Sequence, residues 1–409
     1  MIALLATGGT VAGLGDDSGG YKAGILGINE LLARLEADLN VSLSEKFTQI
    51  HTEQIANIDS CDMSDKIWLK LARRCKKLAS KARGIVITHG TDTMEETAFF
   101  LSLVLENKLP IILTGAMRPA TSIEYEGAKN LYNALLLANS QSIKGVFVTM
   151  NGTIFVGKSV QKIHTQNINA FEGFECGYVK DGEVIFRELD ENVANKVIVS
   201  EAKAKIQAKE DEFTQFQSAN FKNLKDANFV DLNKFKHLDS NLFNKKAKFT
   251  QSQSTLEKDF EFNPSSSVLL EMLEFKGLTK KAEFNLSRLK KLPRVDILYT
   301  YSNDGLAVAA KALFKSGTKG LVIAGSGAGS IHSFQKKTLK ALLKKGLKVV
   351  VSSRVRAGCV VLSGDDKKLG FISAHHLNPQ KARVLLMLTL TKTNDNEATS
   401  SFFERLAKI

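Results

Sequence analysis

Short, predominantly apolar runs, each followed by a stretch of helical character, constrain this chain more than any other feature. They are Ile2–Thr7, Gly84–Thr88, Leu109–Leu113, Gly145–Thr149, Val295–Tyr299, Gly320–Ala324 and Val349–Ser352. A half-exposed strand alternates apolar with polar residues, whereas a continuously apolar one is buried on both faces. Such strands need helices above and below them, which favours a parallel sheet with strand–helix–strand connections. The expected fold class is therefore α/β: two doubly wound α/β domains, the larger N-terminal and the smaller C-terminal. In such folds ligands sit beyond the carboxyl ends of the strands. Three polar clusters fall there, at Thr7–Thr10, His89–Thr93 and Gly325–Ser330.

The strand rhythm stops in the middle of the chain, which divides it into an N-terminal catalytic domain at 1–191, an insertion at 192–284 and a C-terminal domain at 285–409. Residues 201–284 hold 11 of the chain's 24 Phe. So much aromatic surface argues against an unstructured linker, and the segment reads as a partly helical insertion. Its 14 Lys are nearly balanced by 13 acidic residues. Ala219–Leu224 is echoed by Ala227–Leu232, but two copies are too few for a solenoid.

Net charge of +13 over 409 residues raises the question of a polyanionic partner. The excess is spread along the chain, however. Its densest run, Lys336–Lys348, is interleaved with Leu339, Leu342, Leu343 and Leu347, as on the wet face of a packed helix. No nucleic-acid partner is expected. No apolar run approaches the roughly 18 residues of a membrane-crossing helix, so no membrane association is expected either. The first residues lack the basic stretch of a secretion leader. Cys61, Cys75, Cys176 and Cys359 form no CxxC pair, which speaks against zinc and for a reducing, cytoplasmic setting.

Chemistry concentrates in three motifs. Thr7-Gly8-Gly9-Thr10 follows the first strand, and its paired glycines allow a tight turn close to a ligand. A hydroxyl at Thr10 can cap a helix or act as a nucleophile. The second motif, Thr88-His89-Gly90-Thr91-Asp92-Thr93-Met94-Glu95-Glu96, places Thr91 and Asp92 at a strand end. Thr93 and Glu96 there have the spacing of a capping box. His89 could be a general base, but with no Ser or Cys elbow nearby a buried, hydrogen-bonded histidine is the expectation. The third, Gly325-Ser326-Gly327-Ala328-Gly329-Ser330, has the look of a dinucleotide loop. That reading needs an acidic residue about 20 positions on, and residues 340–355 contain none.

Together these residues resemble the bacterial-type L-asparaginase family. The resemblance rests on Ala6-Thr7-Gly8-Gly9-Thr10-Val11-Ala12-Gly13 and on the block from Ile87 to Thr97. It extends to Thr114-Gly115-Ala116-Met117-Arg118-Pro119 and to the stretch from Leu377 to Leu386, and covers about residues 1–190 and 285–409. It implies an amidohydrolase that converts L-asparagine to L-aspartate and ammonia through an acyl-enzyme, with some activity on L-glutamine and no cofactor or metal. Thr10 would be the nucleophile and Tyr21 its neighbour on a mobile loop rich in glycine. Thr91, Asp92 and Lys162 would form a second catalytic cluster, and Asp59, Ser60, Ala116 and Ser330 would contact substrate. A threonine hydroxyl needs a partner to take its proton, a task suited to the amine form of Lys162. The family is built as a homotetramer of paired dimers with sites between subunits.

Several positions depart from the family pattern. Cys61 stands where a glutamine is usual, Ala328 and Ser330 replace two asparagines, and Glu126 replaces an aspartate. The second-domain glutamate donated across the dimer has no counterpart, and Asp365 and Asp366 are the carboxylates nearest that place. Two other readings follow from these departures: an asparaginase-like scaffold without catalysis, and the ammonia-supplying subunit of a tRNA-dependent amidotransferase.

Overall fold

The computed structural model describes residues 1–15, 21–140, 143–187 and 281–407. All of them belong to one compact unit that spans Met1–Leu189 and Ser266–Ile409. The insertion reading for 192–284 lies outside the described residues, apart from its last four positions.

The N-terminal lobe runs β1 (Ile2–Gly8), β2 (Leu14–Gly15), β3 (Tyr21–Lys22), α1 (Ile28–Leu39), α2 (Leu43–Lys46), β4 (Ile50–Ile58), α3 (Asp65–Leu78) and β5 (Gly84–Thr88). It continues through α4 (Met94–Val104), β6 (Pro110–Thr114), α5 (Gly127–Ser140), β7 (Gly145–Met150), β8 (Thr153–Val156), β9 (Gln161–Lys162), β10 (Phe171–Glu172), β11 (Glu175–Lys180) and β12 (Glu183–Phe186). Eight of these strands form one sheet in the order β12-β11-β8-β7-β6-β5-β1-β4. The strands from β4 to β7 are parallel, as expected.

Two features depart from the expectation. From β7 onward the sheet continues as an antiparallel meander through β8, β11 and β12, so it is mixed. The parallel edge strand β4 (Ile-His-Thr-Glu-Gln-Ile-Ala-Asn-Ile) carries no continuous apolar run, because an edge is not enclosed on all sides. Successive side chains of β1 point to opposite faces, as the pleat requires. Ile2, Leu4 and Ala6 pack with Leu31 and Leu35 of α1 and Leu131 and Leu135 of α5. Ala3 and Leu5 pack with Trp68 and Leu71 of α3 and Phe99 of α4.

The C-terminal lobe contains β13 (Val295–Tyr299), α6 (Leu306–Lys315), β14 (Gly320–Gly325), α7 (Ser333–Leu343), β15 (Lys348–Ser353), α8 (Gly364–Leu369), β16 (Ile372–Ser373), α9 (Pro379–Thr389) and α10 (Asn396–Leu406). Its four strands are parallel in the order β13-β14-β15-β16. One face packs on α6 and α7. The other face shares a single core with α9, α10, α3 and α4. Leu339, Leu342 and Leu347 of the basic run are buried, while Lys337, Lys340, Lys344 and Lys345 face water. Phe284 is buried too. It stacks on Phe402 at 5.5 Å between ring centres, under the Lys392 ammonium.

α9 sits between the two sheets, and its start is set by its own sequence. Asn378 is the N-cap, with its side chain accepting from Lys381 N–H at 2.9 Å, and Pro379 occupies the first helical position, where its missing N–H costs nothing. No helix among the described residues is long and apolar enough to cross a membrane.

Candidate active site

β1 and β5 pair in parallel with Ala6 opposite Thr88, so the two threonine motifs leave the sheet side by side. The Thr7 hydroxyl donates to the Thr88 carbonyl at 2.8 Å. Gly8 and Gly9 then take φ of 101° and 83°, which residues with a Cβ rarely adopt. A Cβ on Gly9 would lie 2.4 Å from the Gly90 nitrogen, and one on Gly90 would lie 2.7 Å from Ser60 Oγ. The glycines thus let three loops touch, those after β1, β4 and β5. Thr10 is buried at the start of a three-residue turn whose N-cap is Gly9. No long helix begins there for Thr10 to cap.

In the loop after β4, Asp59 Oδ1 accepts from Cys61 N–H at 3.2 Å and caps the turn Ser60–Asp62. Ser60 is buried, and its carbonyl accepts from Thr93 Oγ1 at 2.8 Å. That bond overturns the capping box expected at Thr93. α4 follows directly from the turn Thr91–Thr93, the Thr93 backbone (φ −121°, ψ 15°) is not that of a cap, and no side-chain cap bond forms. The hydroxyl has turned to an acceptor 33 residues away in sequence, and Glu96 is committed elsewhere.

Lys162 enters from the hairpin of β9 and β10. Its Nζ donates to Thr91 Oγ1 at 2.9 Å and to Asp92 Oδ1 at 2.5 Å. Thr91 is buried, while the Asp92 side chain is 60% exposed. The lysine therefore bridges a hydroxyl inside the protein and a carboxylate at its surface. The loop after β6 completes the cluster. A Cβ on Gly115 would lie 3.5 Å from Thr91 Cγ2, Asn130 Nδ2 donates to the Gly115 carbonyl at 3.0 Å, and Glu126 Oε1 accepts Met117 N–H. Ala116 is fully buried between these two anchored neighbours.

His89 is not placed as a general base. Trp68 Nε1–H donates to Thr97 Oγ1 at 2.8 Å, and Thr97 Oγ1 lies 2.8 Å from His89 Nε2. The Gly90 carbonyl beside Nδ1 can only accept, so in the neutral ring Nε2 is the acceptor and the Thr97 hydroxyl donates to it. Nδ1 then carries the proton and donates to the Gly90 carbonyl at 2.7 Å. Complete burial pushes the imidazole pKa down to about 4, since a charged ring would lose its hydration. His89 is a neutral strut beneath the Gly90–Thr91 turn.

This geometry can be set beside known proteins. An N-terminal asparaginase domain matches residues 1–192 and a glutaminase/asparaginase C-terminal domain matches residues 294–403. A probable periplasmic L-asparaginase of Haemophilus influenzae is 34% identical, with 98% of this chain and 92% of the relative covered. The chain belongs to the asparaginase family. A glutaminase-asparaginase of Acinetobacter glutaminasificans is 33% identical, with 98% of each protein covered. The crystal structure of a probable cytoplasmic L-asparaginase from Campylobacter jejuni is 42% identical, covers 98% of each chain and superposes with a TM-score of 0.70.

Not every site residue expected from the asparaginase resemblance joins the threonine cluster. Tyr21 lies opposite Gly15 in the two-stranded ribbon β2–β3, and the residues between them lie outside the described set. Ser330 belongs to the smaller lobe, in a turn after β14 that Ser326 and Ser330 close by mutual backbone bonds of 2.7 and 3.0 Å. Asp366 pairs with Lys336 Nζ at 2.6 Å, and Asp365 is exposed. Cys61 is exposed, and the Asp59 carboxylate beside it pushes the thiol pKa up. Glu126 Oε2 is buried and has no hydrogen-bond partner among the described residues. Sequence reasoning assigned no role to Glu95, Glu126, Asn378 or Lys381. Glu95, Asn378 and Lys381 make contacts across 67 to 283 residues of chain, and no local signal marks those contacts.

Proposed function

We propose that this asparaginase-family protein hydrolyses L-asparagine to L-aspartate and ammonia, and accepts L-glutamine as a second substrate. The observation that carries the reading is the Lys162 Nζ, 2.9 Å from Thr91 Oγ1 and 2.5 Å from Asp92 Oδ1, beside the loop that bears Thr10. Thr10 Oγ, beside Tyr21, attacks the side-chain amide carbon; its proton is drawn to the amine form of Lys162 and passes on to the amide nitrogen as that nitrogen leaves. The tetrahedral oxyanion is held by backbone N–H groups of the Thr91 turn. Collapse expels ammonia and leaves an acyl-enzyme. A water molecule activated by Thr91 and Lys162 then releases aspartate. Asp59 and Ser60 hold the amino and carboxylate ends of the substrate, the Ala116 carbonyl accepts from its amide nitrogen, and Ser330 sets the preference between asparagine and glutamine. The scaffold and amidotransferase-subunit readings are not favoured, since Thr10, Tyr21, Thr91, Asp92 and Lys162 are all present.

The proposal includes a cytoplasmic setting, which accords with the name of the Campylobacter neighbour. It also includes a homotetramer, for which the smaller lobe offers exposed apolar side chains at Tyr299, Tyr301, Val308 and Phe334.

Ammonia release from L-asparagine and L-glutamine tests the reaction, with Thr10→Ala, Thr91→Ala and Lys162→Met run beside the wild type. Each variant should retain its fold and lose about 10³-fold or more in kcat, as removal of a nucleophile or its proton acceptor does. A folded wild type inert towards both amides would refute the reading.

A further inference from the structure

Glu95, the second residue of α4, is 4% exposed, and a buried carboxylate is costly unless its oxygens are bonded and its charge is matched. Both conditions are met, by groups from β9 and from the start of α9. Oε2 accepts the backbone N–H of Lys162 at 2.7 Å, and Oε1 accepts from Nδ2 of Asn378 at 2.9 Å. Burial pushes the carboxyl pKa up, while the positive charges of Lys381 and Lys162 and the two hydrogen bonds pull it down. Lys381 is itself buried and donates to the Lys158 carbonyl at 2.7 Å.

Neither hydrogen-bonding partner of Glu95 can change roles. A backbone N–H only donates. The amide of Asn378 cannot flip, because its Oδ1 caps α9 by accepting from Lys381 N–H. Glu95 is therefore required to accept twice, which only a carboxylate does with both oxygens.

What Glu95 holds is the main chain that carries the bridging lysine. β9 is only two residues long and, among the described residues, pairs only with β10, so the ladder by itself fixes it weakly. The smaller lobe grips the same hairpin a second time, since Arg356 forms an ion pair with Glu172 of β10. We propose that Glu95 is a positioning residue for the hydrolysis: it ties the backbone of Lys162 to the Asn378 cap of the smaller lobe, and so keeps Lys162 Nζ on the Thr91 hydroxyl. This rests on Lys162 serving the reaction as set out above.

The donor–acceptor pattern supplies the test. In Glu95→Gln, the carboxamide can accept from Lys162 N–H only by turning its own N–H₂ against that of Asn378. Displacement of a catalytic group by about 1 Å costs on the order of 10²-fold, so kcat for L-asparagine should fall by about 10- to 100-fold, with KM changed by less than about threefold. Asn378→Asp keeps a good helix cap but sets one carboxylate against another, and kcat should fall there too. The double variant Glu95→Gln/Asn378→Asp reverses donor and acceptor across the contact at unchanged total charge. It should recover to within about fivefold of wild type. Thermal unfolding of all three, followed by circular dichroism, separates loss of fold from loss of placement. The proposal is overturned if folded Glu95→Gln keeps a kcat within about twofold of wild type, or if the double variant is no more active than Glu95→Gln. Lys162→Met run in parallel keeps the two readings apart. If it is inactive while Glu95→Gln is normal, only the role of Glu95 falls; if it is fully active, the assignment of Lys162 falls with it.

Discussion

His89 shows how one residue can be chemically plausible for one task and physically committed to another. Its type suits proton transfer, but its two nitrogens are used by Thr97 and Gly90, and its burial keeps it neutral. The consequence is a pH dependence of stability whose sign can be worked out. The folded pKa is about 4 against 6.5 for the free side chain. The contribution of the neutral ring is therefore present above pH 6.5 and is lost as pH falls towards 4, because the unfolded chain takes up the proton first. The full effect is on the order of 3 kcal/mol. Chemical denaturation of wild type and His89→Gln at pH 8 and at pH 4.5 should show the wild-type advantage shrinking at the acid end. An advantage independent of pH would mean that burial does not shift the ring's pKa away from that of the unfolded chain.

Among the elements, α4 carries the most varied load. Its N-terminal turn presents Thr91 and Asp92, Phe99 and Phe100 fill the core, and Glu95 and Glu96 face the smaller lobe. Glu96 is largely buried, and burial pushes its carboxyl pKa up to about 7 despite the Arg383 guanidinium 3.6 Å away. A folded pKa raised from 4.5 to about 7 favours folding below pH 4.5, and that contribution is lost as pH rises through 7. Glu96→Gln, which resembles the protonated form, should thus gain stability relative to wild type between pH 5 and pH 8, by on the order of 3 kcal/mol. Urea melts at the two pH values measure it, and a constant difference would refute it. The elements also show where sequence patterning is informative. Parallel central strands such as Gly84–Thr88 and Gly320–Ala324 are bounded by their own apolar runs. β4, β8, β11 and β12 lie at or near an edge with mixed composition, and only pairing in the sheet defines them.

For the whole molecule, the two lobes share one core and meet around the Lys162 hairpin through Asn378–Glu95 and Arg356–Glu172. The smaller lobe is thereby tied to the placement of a residue in the larger one. If the active unit is a tetramer with sites between subunits, the particle mass should be near four times the 44.8 kDa of one chain. Sedimentation across a dilution series, with asparagine turnover measured on the same samples, checks this prediction. Specific activity should fall as the assembly dissociates. A fully active monomer would show that each chain carries a complete site, so that no carboxylate from a neighbour is required.

Sequence alone determined the α/β class, the parallel core strands and the two threonine motifs, because burial on both faces and glycine-dependent turns leave local marks in composition, whereas Lys162 was marked only by the family resemblance. It also pointed to the correct state of His89. Tertiary structure alone decided that Thr93 serves Ser60 rather than its own helix, that the sheet ends in an antiparallel meander, and that Glu95 joins Lys162 to Asn378. Those outcomes depend on which donor and acceptor become neighbours across 33, 67 and 283 residues of chain. Hydrogen-bond partners at such separations leave no periodicity in a sequence, since they are selected by distance in the folded protein.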